Sequence, residues 1–171
     1  MRSSRLICFG GVGGCQDGPF ADFKMHLGPV VLDPQGPLNG TGYNPRCITR
    51  DMSPDLAGNL RPSNITKLLA TSNLDEFNNL IDEPLGLHTS AHFMLGGIQM
   101  DPFASPSDPY FWPHHGMIDY LWTVWQGQDL DHRLTQVSGT ETTGNSPPSA
   151  NVTLDSLINF EILTNPPVPL Y

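Results

Sequence analysis

Basic residues are scarce in this chain. Only eight of 171 residues are Lys or Arg, against seventeen Asp or Glu, giving a formal net charge of −9. Phosphate backbones are bound mainly through Lys and Arg, so a nucleic-acid partner is not expected. Charge of either sign is also sparse, at 15% of residues. No apolar run approaches the roughly 20 residues of a membrane-spanning helix, so no membrane partner is expected and the chain reads as soluble. The three cysteines, Cys8, Cys15 and Cys47, contain no C-x-x-C pair and no spacing suited to a tetrahedral thiolate site. In an oxidising compartment Cys15 could bridge to Cys47, with Cys8 left over. Sequons at Asn39, Asn64 and Asn151 would fit such a route, although these triplets are common by chance. Arg2 and Arg5 ahead of Leu6 to Phe9 superficially resemble a signal peptide, but Gly10-Gly11 breaks the apolar run too early. Localisation therefore stays open, and so does oligomeric state.

Seventeen Gly and seventeen Pro point instead to a loop-rich domain, and the length suits a single one spanning 1–171. Residues 1–62 show no sustained helical period and read as irregular chain with turns, with short strands around Phe23 to Leu27 and Val30 to Leu32. The composition changes at Pro62, and residues 63–130 carry the helical signals. Ser63 can cap a helix reaching about Ala70, and Ser72 or Asn73 a second carrying Leu74, Phe77, Leu80 and Ile81 at helical spacing. Pro84 opens a third that Gly96-Gly97 closes. Asp108 is a candidate cap before a main helix that starts near Pro113 and runs to about Gln128. Residues 131–171 read as a flexible polar loop, Ser138 to Ala150, and an irregular tail whose patch Leu154, Leu157, Ile158, Phe160 and Ile162 packs back onto the body. The expected fold is mainly α.

Four of the six histidines fall between residues 88 and 115. His88 and His92, four apart on the third helix, share its apolar face with Ala91 and Leu95, so both imidazoles point inward. On the main helix His115, Ile118, Asp119, Trp122 and Trp125 form one stripe, while His114 is turned about 100° away. A neutral imidazole facing a core needs hydrogen bonds or a metal, and three nitrogens from two helices would leave open positions on a bound ion. H-x-x-x-H alone is weak support for a metal, and Thr89 stands where a zinc protease would carry its glutamate base. His26 and His132 match no motif and are expected to serve surface or packing roles. Phe93, Phe103, Phe111, Trp112, Trp122 and Trp125 are expected in the core, with Phe93, beside His92, the best candidate to line a substrate pocket.

The run His88-Thr89-Ser90-Ala91-His92-Phe93-Met94-Leu95-Gly96-Gly97, followed by Asp108-Pro109-Tyr110-Phe111-Trp112-Pro113-His114-His115-Gly116-Met117-Ile118-Asp119, resembles the second copper-binding motif of the tyrosinase family. That motif reads H-x-x-x-H-x-x-x-G-G, then D-P-x-F-aromatic-x-x-H-x-x-x-D, and every fixed position is filled. Gly18-Pro19-Phe20, Leu27-Gly28-Pro29 and Asn44-Pro45-Arg46-Cys47 look like the segment that precedes it in fungal members, and Trp122 to Gln126 like the helix that closes it. The resemblance covers most of residues 9–135.

This resemblance implies a di-copper four-helix core, of which the chain carries part. It implies copper held by His88, His92 and His115, with His114 and Asp119 supporting those ligands. Family enzymes pair two coppers, use O2, and oxidise small phenolic substrates, o-diphenols, to o-quinones. The first copper motif has no counterpart in residues 1–62, so the chain is expected to be the second half of such a protein, beginning at an internal or mispredicted methionine. Thr89 replaces the asparagine often found in monophenol-hydroxylating members, and Asp82 or Glu83 falls near the family's acidic position before the first histidine. Two readings follow: a copper oxidoreductase of the tyrosinase class when whole, or a non-catalytic or vestigial protein holding one copper.

Overall fold

A computed structural model of the chain describes residues 14–15, 17–158 and 167–169. Cys8, the Arg2 to Phe9 run, Phe160 and Ile162 lie outside these residues.

The helices begin where local chemistry can satisfy their exposed N–H groups. Helix α1, Pro62–Leu69, has proline at its first position, where no N–H is needed. Helix α2, Leu74–Asp82, starts with a reciprocal cap: the Asn73 side chain accepts the Glu76 N–H, and the Glu76 carboxylate accepts the Ser72 N–H, each at 3.0 Å. Helix α3, Leu87–Leu95, starts three residues later than Pro84 suggests. A tight turn intervenes, closed by the Gly86 N–H donating to Glu83 O at 2.7 Å. A β-carbon on Gly86 would lie 2.3 Å from Ile81 O, so only glycine lets α3 fold back this closely on α2. Helix α4, Phe111–Gly127, starts two residues before Pro113. Pro113 occupies its third position, where an N–H would lack an intrahelical acceptor, so the ring costs no hydrogen bond. Asp108 closes the turn ahead of it: its carbonyl accepts the Phe111 N–H and its carboxylate the Tyr110 N–H, both at 2.9 Å. A one-turn helix α5, Leu130–Arg133, follows.

Helices α1 to α4 pack around Leu68, Leu74, Phe77, Ile81, Leu87, Leu121 and Trp125. Trp125 is fully buried, and its indole N–H donates to Thr71 O at 3.1 Å. The Arg133 guanidinium sits 4.4 Å above the Trp125 ring, which ties α5 to the core. The chain is thus mainly α, as expected, with a loop-rich segment leading into it.

Among its described residues that leading segment contains four two-residue strands. Gly14–Cys15 (β1) pairs with Thr49–Arg50 (β4), and Lys24–Met25 (β2) with Arg46–Cys47 (β3), both antiparallel. A disulfide joins Cys15 to Cys47. Its small core of Met25, Ile48, Ile98 and Ala104 is separate from the helical one. The strand expected at Val30 to Leu32 does not form: the Val30 and Val31 N–H groups donate to the buried Asp101 carboxylate, which also accepts the Phe103 and Ala104 N–H groups. This segment also finishes α3, whose last carbonyls at Met94 and Leu95 accept the Ser53 and Asp51 N–H groups at 2.8 and 3.0 Å.

Residues 138–150 carry their own hydrogen bonds, with Glu141 and Val152 N–H donating to Ala150 and Gly139 carbonyls. In the tail, Leu157–Ile158 (β5) pairs with Val168–Pro169 (β6), but Leu157 is 67% exposed and does not pack on the body. Two aromatic expectations also need correcting. Phe103 and Trp112 are 69% and 65% exposed rather than core. Trp112 follows Phe111, and the 100° helical step turns it away from α3. Phe103 stands in the turn held by Asp101. No helix among the described residues is long and apolar enough to cross a membrane.

Candidate metal centre

Helices α3 and α4 bring His88, His92, His114 and His115 together, with one ring nitrogen of each within 4.8 Å of the others. Three of the four are aimed at one point. The Nε2 atoms of His88 and His92 are 3.2 Å apart, those of His92 and His115 3.2 Å, and those of His88 and His115 3.4 Å. His88 Nδ1 lies 2.7 Å from Asp82 Oδ1, and His92 Nδ1 lies 2.9 Å from Gln99 O. A carboxylate and a carbonyl can only accept, so both Nδ1 atoms carry protons and both Nε2 atoms present bare lone pairs to their neighbour. Converging lone pairs repel unless a cation sits among them. An ion held tetrahedrally at about 2.0–2.1 Å by three imidazoles spaces their nitrogens about 3.3 Å apart, so the donor set fits a metal.

Protonation is disfavoured at His92 and His115. Burial lowers the His92 pKa below its ordinary value and the neighbouring His88 lowers it further, against the Gln99 carbonyl. Burial followed by His88 and His92 does the same to His115, with Asp82 opposing. Neutral imidazoles are the form a metal requires.

His114 behaves differently. It is 8% exposed, and its ring lies between those of Tyr110 and His88, stacked at 5.9 and 5.5 Å between centroids. Its Nε2 donates to His88 O at 3.2 Å. Burial, then the other three histidines, pushes its pKa down to about 4, so it is a neutral brace against the α3 backbone. The buried position on α4 is therefore His114, not His115 as the stripe suggested. His115 sits at the partly open rim with Phe111 stacked on it, centroids 3.8 Å apart. Asp119, expected to support the site, is exposed, and its carboxylate makes no hydrogen bond among the described residues. It lines a shallow depression of about 420 Å³ beside His115, together with Phe77, Asp82 and Trp122. Phe93 is half-buried and does not line that depression. His26 stacks on Tyr43 and His132 bonds Asp129, both outside the cluster.

Residues 6–128 match the family described as the common central domain of tyrosinase. The chain belongs to the tyrosinase family. It is similar to Tyrosinase P of Aspergillus terreus, 37% identical across 95% of this chain and 49% of that protein. It is also similar to N-acetyl-6-hydroxytryptophan oxidase ivoB of Emericella nidulans, 34% identical across 90% of this chain and 48% of that protein. A polyphenol oxidase variant from Thermothelomyces thermophila has a like fold, with a TM-score of 0.77 and 31% identity over 90% of this chain and 46% of that one. The chain thus spans about half the length of these relatives.

Within this tyrosinase-family domain, three supporting roles were not assigned from sequence. The Gln99 carbonyl holds His92, and Phe111 holds His115. The third role is that of Asp82, which holds His88 and which the sequence places only near the family's acidic position. Asp82→Asn would remove a charge-assisted hydrogen bond from His88 Nδ1. Metal affinity is expected to fall about 10–100-fold, as measured by chelator competition, with the far-ultraviolet dichroism unchanged. Parental affinity would dismiss this role for Asp82.

Proposed function

We propose that this chain holds one copper ion through Nε2 of His88, His92 and His115, and that the whole protein is a copper oxidase of o-diphenols. The reading is carried by the three nitrogens at 3.2 to 3.4 Å, two of them with their protons fixed on the far side of the ring. Imidazole suits copper, and a three-nitrogen set leaves positions open for an outside ligand. Copper held by these residues would supply a redox-active Lewis acid for the oxidation of a phenol by O2.

The chain's own residues orient that centre. Asp82 and Gln99 O fix the tautomers of His88 and His92. His114 fixes the α3 backbone at His88. Phe111 closes one face of His115, and the depression beside His115 offers apolar walls to a small phenol. In the overall reaction two o-diphenols each lose two electrons and two protons, and one O2 takes up all four of each to become two waters.

The test is a copper titration of the chain, together with catechol oxidation by the longer protein that contains it. One copper per chain with catechol turnover by the longer protein is expected. Copper without turnover would favour the alternative, a non-catalytic mononuclear copper protein. No copper binding by either would end both readings.

A further inference from the structure

The three sequons sit in very different surroundings. Asn64 is in the first turn of α1 and half-buried. Its Nδ2, the atom a glycan would attach to, donates to Asn59 O at 2.8 Å. It also faces a cavity of about 540 Å³ shared with Asn59, Lys67 and Leu87. A sugar at Asn64 would break that hydrogen bond and wedge α1 away from the turn before α3.

Asn39 stands in the turn of residues 36–42 with φ 55°, exposed to solvent. The turn is closed by backbone bonds from Gly40 N–H to Gly36 O and Pro37 O and from Gly42 N–H to Pro37 O, which leave the Asn39 amide uncommitted. Next to it Leu38 is 79% exposed, an apolar side chain that a sugar would cover. Asn151 is also exposed, paired to Thr140 through its backbone, and its amide likewise makes no hydrogen bond among the described residues. The Cys15–Cys47 disulfide independently points to a chain that meets an oxidising compartment, where N-glycans are added.

We infer that Asn39 and Asn151 are N-glycan acceptors and that Asn64 is not. Glycans are bulky and hydrated, and an exposed turn and an exposed loop residue held by a single backbone bridge accept them without repacking. The experiment is to produce the full chain behind a fungal secretion leader and map glycopeptides by mass spectrometry. Secreted and endoplasmic-reticulum-retained chain are both read, so poor export still gives a result. One glycan each at Asn39 and Asn151 is expected, with Asn39→Gln and Asn151→Gln each removing one and Asn64→Gln removing none. A glycan at Asn64, or an unoccupied Asn39 or Asn151, overturns the inference. Copper binding does not enter this readout, so its outcome is independent of the metal site.

Discussion

His92→Ala is expected to weaken copper binding by well over the roughly 10–100-fold that follows loss of an outer hydrogen-bond partner. His92 sits at the centre of the donor set, 3.2 Å from both other Nε2 atoms. Its removal leaves His88 and His115 at 3.4 Å as a two-nitrogen site on two different helices. The alanine itself is well tolerated by an α-helix, and His92 is not part of either apolar core, so the fold should survive. Chelator competition and dichroism on the same sample separate the two effects. His26→Ala, stacked on Tyr43 away from the cluster, is expected to bind copper like the parent. Equal affinity in the His92 and His26 variants would remove His92 from the ligand set.

The second large effect is on stability. Arg50 and Asp108 form a bidentate pair, with Nε to Oδ2 at 3.1 Å and Nη2 to Oδ1 at 2.8 Å. The Asp108 side chain is fully buried and that of Arg50 is 21% exposed. Arg50→Met would leave the carboxylate buried and unpaired, at a cost of about 3–5 kcal/mol, towards the lower figure because Arg50 is partly solvated. Urea unfolding should show the midpoint falling with an unchanged slope. Acid should expose the same pair. Burial alone would raise the Asp108 carboxyl, but Arg50 and the Tyr110 N–H outweigh it and hold the pKa below the ordinary range. Asp101 follows the same pattern, with the backbone N–H groups of Val30, Val31, Phe103 and Ala104 overcoming its burial. For both, folded values lie below unfolded ones. Their contribution is complete above about pH 4, where unfolded carboxyls are ionised, and is lost as pH falls through the folded values. Asp108→Asn should therefore flatten the acid limb of the stability curve, and an unchanged limb would discount this pair.

The clustering of the histidines was legible in the sequence because helical spacing is enough to put His88 and His92 on one face and the motif points to a histidine at 115 on the next long helix. The positions of α1 and α2 were legible for the same kind of reason, since helix starts are set locally, although α1 opens on Pro62 with no side-chain cap rather than on a Ser63 cap, and of Ser72 and Asn73 it is Asn73 that caps α2. What supports the ligands was less visible. Asp82 and Gln99 reach their imidazoles across turns of irregular chain, and no periodicity describes a turn. On α4 the stripe through Trp122 and Trp125 points back to His115, yet the more buried of the two histidines is His114. At that end of the helix the α3 backbone lies over His114 instead. Asp101 took the N–H groups that a strand at Val30 would have used, a competition between segments about seventy residues apart that alternation of side chains cannot register.

Gly96 and Gly97 connect these parts. A β-carbon on Gly96 would lie 2.1 Å from Asp51 O, and one on Gly97 2.3 Å from Thr49 O, and both residues have positive φ. Two residues further on is Gln99, whose carbonyl holds the His92 proton. The missing methyl groups therefore act as a gauge: they set how close the β4 segment comes to the end of α3, just ahead of the carbonyl that His92 bonds. Alanine at either position would force that gap open, straining the chain one turn away from a ring it never touches.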